Sequence, residues 1–162
     1  MNKVVYMNHL MRELSTLSSS KISEKKSNIV GVQIYNFISS LKLNYGENQK
    51  WLTYKTSNFT YNDILSEYTN LTDYEWDTFE LYLDSRIIEK NIWGVINYVI
   101  LTFEQKIEKF FTGESVCLIV IVQKEEITNI NIRLHLNRER EFILDPNLDN
   151  YNEPILYVLY NE

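Results

Sequence analysis

Seven carboxylates fall between residues 61 and 85 (Asp63, Glu67, Asp73, Glu75, Asp77, Glu80 and Asp84), and no lysine or arginine interrupts them. Acid–base catalysis by carboxylates needs two of them in one cleft with separated pKa values, and spacing along a chain does not provide that. Taken as a helix at about 100° per residue, Asp73, Asp77, Glu80 and Asp84 fall within roughly 60° of one another. Trp76, Phe79, Leu83 and Ile87 gather on the neighbouring side. Like charges four residues apart destabilise a helix, and a destabilising pattern with no lysine set against it points to a use. The use such a ridge suits is the steering of a basic macromolecule into encounter, with bordering aromatics buried on contact. Asp73, Tyr74, Glu75, Asp77, Glu80 and Asp84 are therefore the candidate partner-binding residues.

Other chemistry finds little support. The four glycines, Gly31, Gly46, Gly94 and Gly113, stand alone, so no glycine-rich phosphate loop exists and no nucleotide cofactor is expected. One cysteine and two histidines are too few for a Cys/His zinc site. Cys117 lies in the apolar run Val116-Cys117-Leu118-Ile119-Val120 and reads as an inert buried thiol. His135 alternates with apolar neighbours in Arg133-Leu134-His135-Leu136 and is expected to face solvent from a strand, and His9 sits on the polar side of a first helix. Glu104-Gln105-Lys106 matches the end of a metal-nuclease signature, but it falls in a helical pattern, whereas that chemistry needs adjacent strands. No catalytic residue, metal or cofactor is assigned.

The elements that must position the acids follow from periodicity. At 162 residues, with 44% apolar, 14% aromatic and 23% charged residues, the chain is long enough for its own core and is expected to form one domain over 1–162. Met7, Leu10, Met11, Leu14 and Leu17 mark a first helix within Val4 to Leu17. Val30, Ile34, Phe37, Ile38 and Leu41 mark a second, and Trp51 to Thr56 reads as a short strand. Thr60 with Asp63 predicts a capped short helix, and Thr72 with Glu75 predicts the cap of a longer one reaching Ile88. The strongest periodicity runs from Ile92 to Phe111, and Gly113 is placed to end it in a left-handed conformation. Beyond residue 115 the period changes to that of strands. Val116–Val122 and Ile127–Leu134 form a predicted hairpin, followed by Phe142–Leu144 and Ile155–Leu159. The expected fold class is α+β, with helices over about 1–113 packed on a C-terminal antiparallel sheet of about three to four strands over about 114–162.

Charge divides the chain unevenly. Residues 1–60 hold eight Lys/Arg against three acids, and residues 61–162 hold eight against nineteen, for a net charge of −6. Together with a pI near 5.0, this disfavours nucleic acid as the partner, because phosphate binding requires a basic footprint. Asn91, Gly94 and Asn97 break the longest apolar stretch, so no membrane segment is expected. The polar N-terminus predicts no secretory leader, and the lone cysteine fits a cytoplasmic location.

The segment Phe142-Ile143-Leu144-Asp145-Pro146-Asn147-Leu148-Asp149-Asn150-Tyr151-Asn152-Glu153-Pro154-Ile155-Leu156-Tyr157-Val158 resembles the closing stretch of bacterial immunity proteins of contact-dependent growth inhibition and related polymorphic-toxin systems. The resemblance covers about a tenth of the chain. It implies a small, acidic, cytosolic, non-enzymatic protein that neutralises a cognate toxin domain, frequently a basic nuclease, by binding it. No individual binding residue carries over. Two other classes stay open on the sequence: a small enzyme using carboxylates or a divalent metal, and a structural or regulatory oligomer.

Overall fold

A computed structural model describes residues 2–17, 21–83, 88, 91–124, 127–141 and 143–161. In chain order its elements are β1 (Asn2–Met7), α1 (His9–Leu17), α2 (Glu24–Ser40), β2 (Leu41–Tyr45), β3 (Lys50–Tyr54), α3 (Tyr61–Glu67), α4 (Leu71–Thr78), β4 (Glu80–Leu83), α5 (Ile92–Phe110), β5 (Val116–Lys124), β6 (Thr128–Leu136) and β7 (Ile155–Asn161), with a 3-10 turn at Leu148–Asn150 before β7. The fold is α+β. Its main sheet has five antiparallel strands in the order β1-β7-β5-β6-β4, and β2 and β3 form a separate hairpin. The expected three to four C-terminal strands are thus corrected on two counts. The sheet is larger, and its two edge strands come from the part of the chain expected to be helical.

Both missed edge strands have an identifiable reason. Val4-Val5-Tyr6 is a β-branched and aromatic run, and it pairs residue for residue with β7, from Asn2 opposite Asn161 to Met7 opposite Leu156. Only His9 onward follows the helical stripe, with Met11 and Leu14 buried. The helix expected from Asp73 to Ile88 stops at Thr78, because Glu80–Leu83 pairs with Arg133–Ile130 of β6 and the Phe79 carbonyl accepts from Leu134 N. Asn70 rather than Thr72 caps α4, its side chain accepting from Asp73 N at 2.8 Å. The capping box at Thr60 and Asp63 forms as the sequence indicates. Gly113 takes φ 77°, a left-handed value that other residues adopt at a cost. Residues 84–87, with Asp84 and Ile87, lie outside the described set, as does Phe142. Ile143 and Leu144 are not in a strand.

Strand alternation gives the main sheet two unlike faces. Val116, Leu118, Val120 and Val122 of β5, Ile130, Ile132 and Leu134 of β6, and Leu156, Val158 and Tyr160 of β7 point into one core with Ile34 and Ile38 of α2 and Val95, Val99 and Phe103 of α5. That core also takes in Met11, Trp51, Leu71 and Tyr74, so the helical and strand-rich parts share it. The opposite face carries the rung Tyr6–Tyr157–Ile119–Arg133–Glu80, read across all five strands. Among the described residues no helix is long and apolar enough to cross a membrane.

Asn8 ties the N-terminus into this arrangement. It is buried, its Oδ1 accepts from Met11 N at the start of α1 and from Ile155 N at the start of β7, both at 3.0 Å, and its Nδ2 donates to the Glu153 carbonyl at 2.7 Å. Asn8→Ala orphans two buried N–H groups at once, so a loss of about 2–4 kcal/mol is expected in urea denaturation.

Candidate functional site

The six residues expected to form an acidic ridge are dispersed by the break at Thr78. Glu75 is fully buried and Tyr74 nearly so. Glu80 lies on β4, where it accepts from Asn131 Nδ2 and Arg133 Nη2. Asp73 is half-buried beside its cap, accepting from Asn70 Nδ2 at 3.0 Å. Asp77 alone of the described five is exposed, and Asp84 lies outside the described residues. Asp63 and Glu67 on α3 are exposed as well. The acids of this region therefore divide into two groups. One is structural and cation-paired, and the other faces solvent.

The structural group centres on Glu75. Its Oε1 accepts from Leu52 N at 2.7 Å and Oε2 from Leu136 N at 2.8 Å. Arg138 closes the pair with Nη2 on Oε1 at 2.7 Å and Nη1 on Oε2 at 2.9 Å. The same guanidinium donates to Thr72 Oγ1 at 3.0 Å and to the Lys50 carbonyl at 2.8 Å. Burial pushes the Glu75 carboxyl pKa up, while Arg138 and the two backbone N–H groups pull against it. Four donors on two oxygens are all satisfied only by the anion, since a proton on either oxygen would oppose an N–H. Glu80 and Arg133 form a second, shallower pair. There the guanidinium also lies over the Trp76 ring, 4.6 Å from its centroid, and donates to the Trp76 carbonyl at 2.5 Å.

A cavity of about 330 Å³ opens on the sheet face opposite the core, under the long connection between Leu136 and Ile155. Tyr6, Ile119 and Tyr157 form its floor from three adjacent strands, and Ile143, Leu144, Pro146 and Leu148 wall it from the connection. His135, Asn137, Glu141 and Asp145 supply its polar groups. The expectation that His135 faces solvent is corrected: it is 4% exposed, because the connection covers its side of the sheet. Its Nδ1–H donates to the Leu136 carbonyl at 2.9 Å, and Nε2 is buried without a hydrogen-bonding partner. Burial, opposed by that hydrogen bond, lowers its pKa to about 4. Cys117 is buried beside it, with Sγ 2.8 Å from Tyr157 Oη, and burial raises the thiol to about 12. A buried thiol raised in this way is held in its protonated, weakly nucleophilic form. Tyr157 is raised too, by burial first and then by Cys117.

The cavity roof is held at several points. Glu141 Oε2 accepts from Thr72 N at 3.1 Å and from Thr72 Oγ1. Asp145 accepts from Asn147 N and from Asn150 Nδ2, both at 2.7 Å, and these bonds keep its carboxyl below the usual range. Asp149 accepts from His9 N at 2.6 Å and His9 Nδ1 at 3.0 Å, which lowers its pKa likewise. Arg140, next to Glu141, has φ 69°, a left-handed value that costs a non-glycine residue energy. Among the described residues no group of three or more His, Cys, Asp or Glu is arranged to hold a metal ion.

A family model matches residues 2–162, nearly the whole of the chain whose fold and cavity are described above. The chain belongs to the Uncharacterized protein PM0498 family. No curated protein matches it, and no solved structure does. The family match spans β1 through β7 and so includes the cavity floor, its roof and the Glu75–Arg138 pair.

The cavity residues escaped the periodicity analysis because three non-consecutive strands and a connection assemble them. The long connection that roofs the cavity was hidden as well, because Phe142-Ile143-Leu144 reads as a strand in the middle of it.

Two outcomes follow. Arg138→Met strands the Glu75 anion in the core and should destabilise by about 3–5 kcal/mol, and adding Glu75→Gln to it should recover part of that loss in a double-mutant cycle followed by urea denaturation. For His135, the unfolded side chain takes up a proton near pH 6.5 but the folded one only near about 4. Its contribution is therefore complete above pH 6.5 and is lost as pH falls towards 4, by about 3 kcal/mol. Thermal melts of His135→Phe should be flatter than wild type across that window.

Proposed function

We propose that this chain is a binding protein of the immunity type, which neutralises a basic toxin domain by stoichiometric association and carries out no reaction of its own. The observation that carries this reading is the unbalanced charge of α3 and α4. Residues 61–83 contain six acids and no base. Glu75 and Glu80 are matched by Arg138 and Arg133, while Asp63, Glu67 and Asp77 stay exposed. The contact surface is accordingly Asp77 with Asp63 and Glu67, and half-buried Asp73 at its margin. Glu75 and Tyr74 support that surface from within. A solvated surface of one sign accelerates encounter with an opposite charge and imposes a salt dependence on the rate.

A further support is the resemblance of residues 142–158 to the closing stretch of immunity proteins. Its described part forms the ordered roof at Asp145–Tyr151 and the inner strand β7.

The test is binding to purified basic toxin domains, beginning with any variable toxic domain found to be encoded immediately upstream, measured by stopped-flow in rising salt. The association rate should fall steeply with ionic strength. Asp63→Lys/Glu67→Lys/Asp77→Lys should lower it at least about tenfold at low salt with little change in dissociation. An association rate indifferent to both salt and charge reversal would remove the reading, and so would turnover of a substrate by the purified chain.

A further inference from the structure

We infer that the cavity beneath the β6–β7 connection is a binding site for a small organic cation, a flat or apolar body carrying N–H donors; this does not rest on the toxin-binding reading, which uses a different surface. Three observations converge on it. The cavity, at about 330 Å³, lies within the ~300–1,000 Å³ range of small-ligand sites. Its floor holds Tyr6 and Tyr157, with ring centroids 6.0 Å apart and planes tilted by 54°, so that aromatic faces and edges border the space.

The polar groups select the sign of the ligand. His135 Nε2 is an acceptor, because the ring proton is on Nδ1 and committed to the Leu136 carbonyl, and it is buried without a partner. A buried acceptor left unpaired is costly; Nε2 is closed off in the empty cavity, so a ligand N–H satisfies it by shifting the ring or the connection over it. Glu141 and Asp145 add two carboxylates to the lining, which holds no lysine or arginine among the described residues, and only Glu141 has a cation near it, Arg138 Nη1 at 4.0 Å. Acceptors, negative charge and tyrosine rings favour an amidinium or aryl-ammonium and disfavour a carboxylate of the same shape.

The full-length chain should be titrated with benzamidine and, in parallel, with benzoate, by calorimetry and by 15N NMR of the histidine side chains. Benzamidine should bind at one site and move the Nε2 resonance of His135 while leaving His9 in place, and benzoate should not bind. Leu148→Trp, which fills the cavity from its wall, and His135→Phe, which removes the acceptor, should each weaken benzamidine at least about tenfold. If His135→Phe does not fold, Leu148→Trp with an unchanged circular dichroism spectrum decides. The inference is overturned if benzamidine does not bind, if benzoate binds equally well, or if Leu148→Trp binds benzamidine as tightly as wild type.

Discussion

The buried pair between Glu75 and Arg138 is the constraint around which the rest of the molecule is arranged. Its four hydrogen bonds to the carboxylate come from two separate pieces of chain, β3 at Leu52 and the end of β6 with its continuation, at Leu136 and Arg138. Glu75 itself is on α4. A pair this deeply desolvated adds little net stability compared with well-packed apolar side chains. It specifies instead. Only one placement of the β2–β3 hairpin, α4 and β6 brings all the donors onto one carboxylate, so any slipped register leaves a charge or an N–H unpaired in the core. The same guanidinium reaches Thr72 and the Lys50 carbonyl, and Thr72 in turn holds Glu141 of the cavity roof.

This constraint also explains which parts of the fold were legible in the sequence. α5 and the β5–β6 hairpin were readable because local period and burial agree: Val95, Val99, Phe103 and Ile107 lie on one side of α5, and Val116 to Val120 is buried throughout. The Thr60–Asp63 cap was readable because it closes within four residues. The acidic stretch was not. From Asp73 to Leu83 the helical period fits well, but pairing with β6 pulls Glu80–Leu83 into a strand, and that preference resides in residues about fifty positions away. The charges of Glu75 and Glu80 read as surface charges because their partners, Arg138 and Arg133, are equally distant in sequence. Local spacing records like-charge repulsion on a helix; it holds no trace of a cation supplied by another element.

β1 and His135 were misread for a related reason. Val4-Val5-Tyr6 and Met7-Leu10-Met11 overlap two periods, and the strand wins at residues 2–7 because β7 supplies a full ladder. His135 alternates as a solvent-facing residue should, and it does face away from the main core. What the alternation omits is that the β6–β7 connection folds back over that face.

The connection ties together the regions that matter for recognition. Thr72 of α4 holds it at Glu141, His9 and Arg12 of α1 hold it at Asp149, and Asn8 holds it at Glu153. The exposed ion pairs among these contribute little individually, but the buried Asn8 bonds and the Asp145–Asn147–Asn150 network fix the roof without requiring packing from above. A roof anchored from its two ends leaves the space beneath it open, which close-packed side chains would otherwise fill. The left-handed Arg140 lies on this connection, and His135, whose Nε2 is unpaired, lies at the end of β6 beneath it. Buried atoms without partners also occur away from the cavity, at Gln33 Oε1, Trp51 Nε1, Asn131 Oδ1 and Arg133 Nε, so what distinguishes the His135 side of the sheet is the open space under an anchored connection and not the unpaired atom alone.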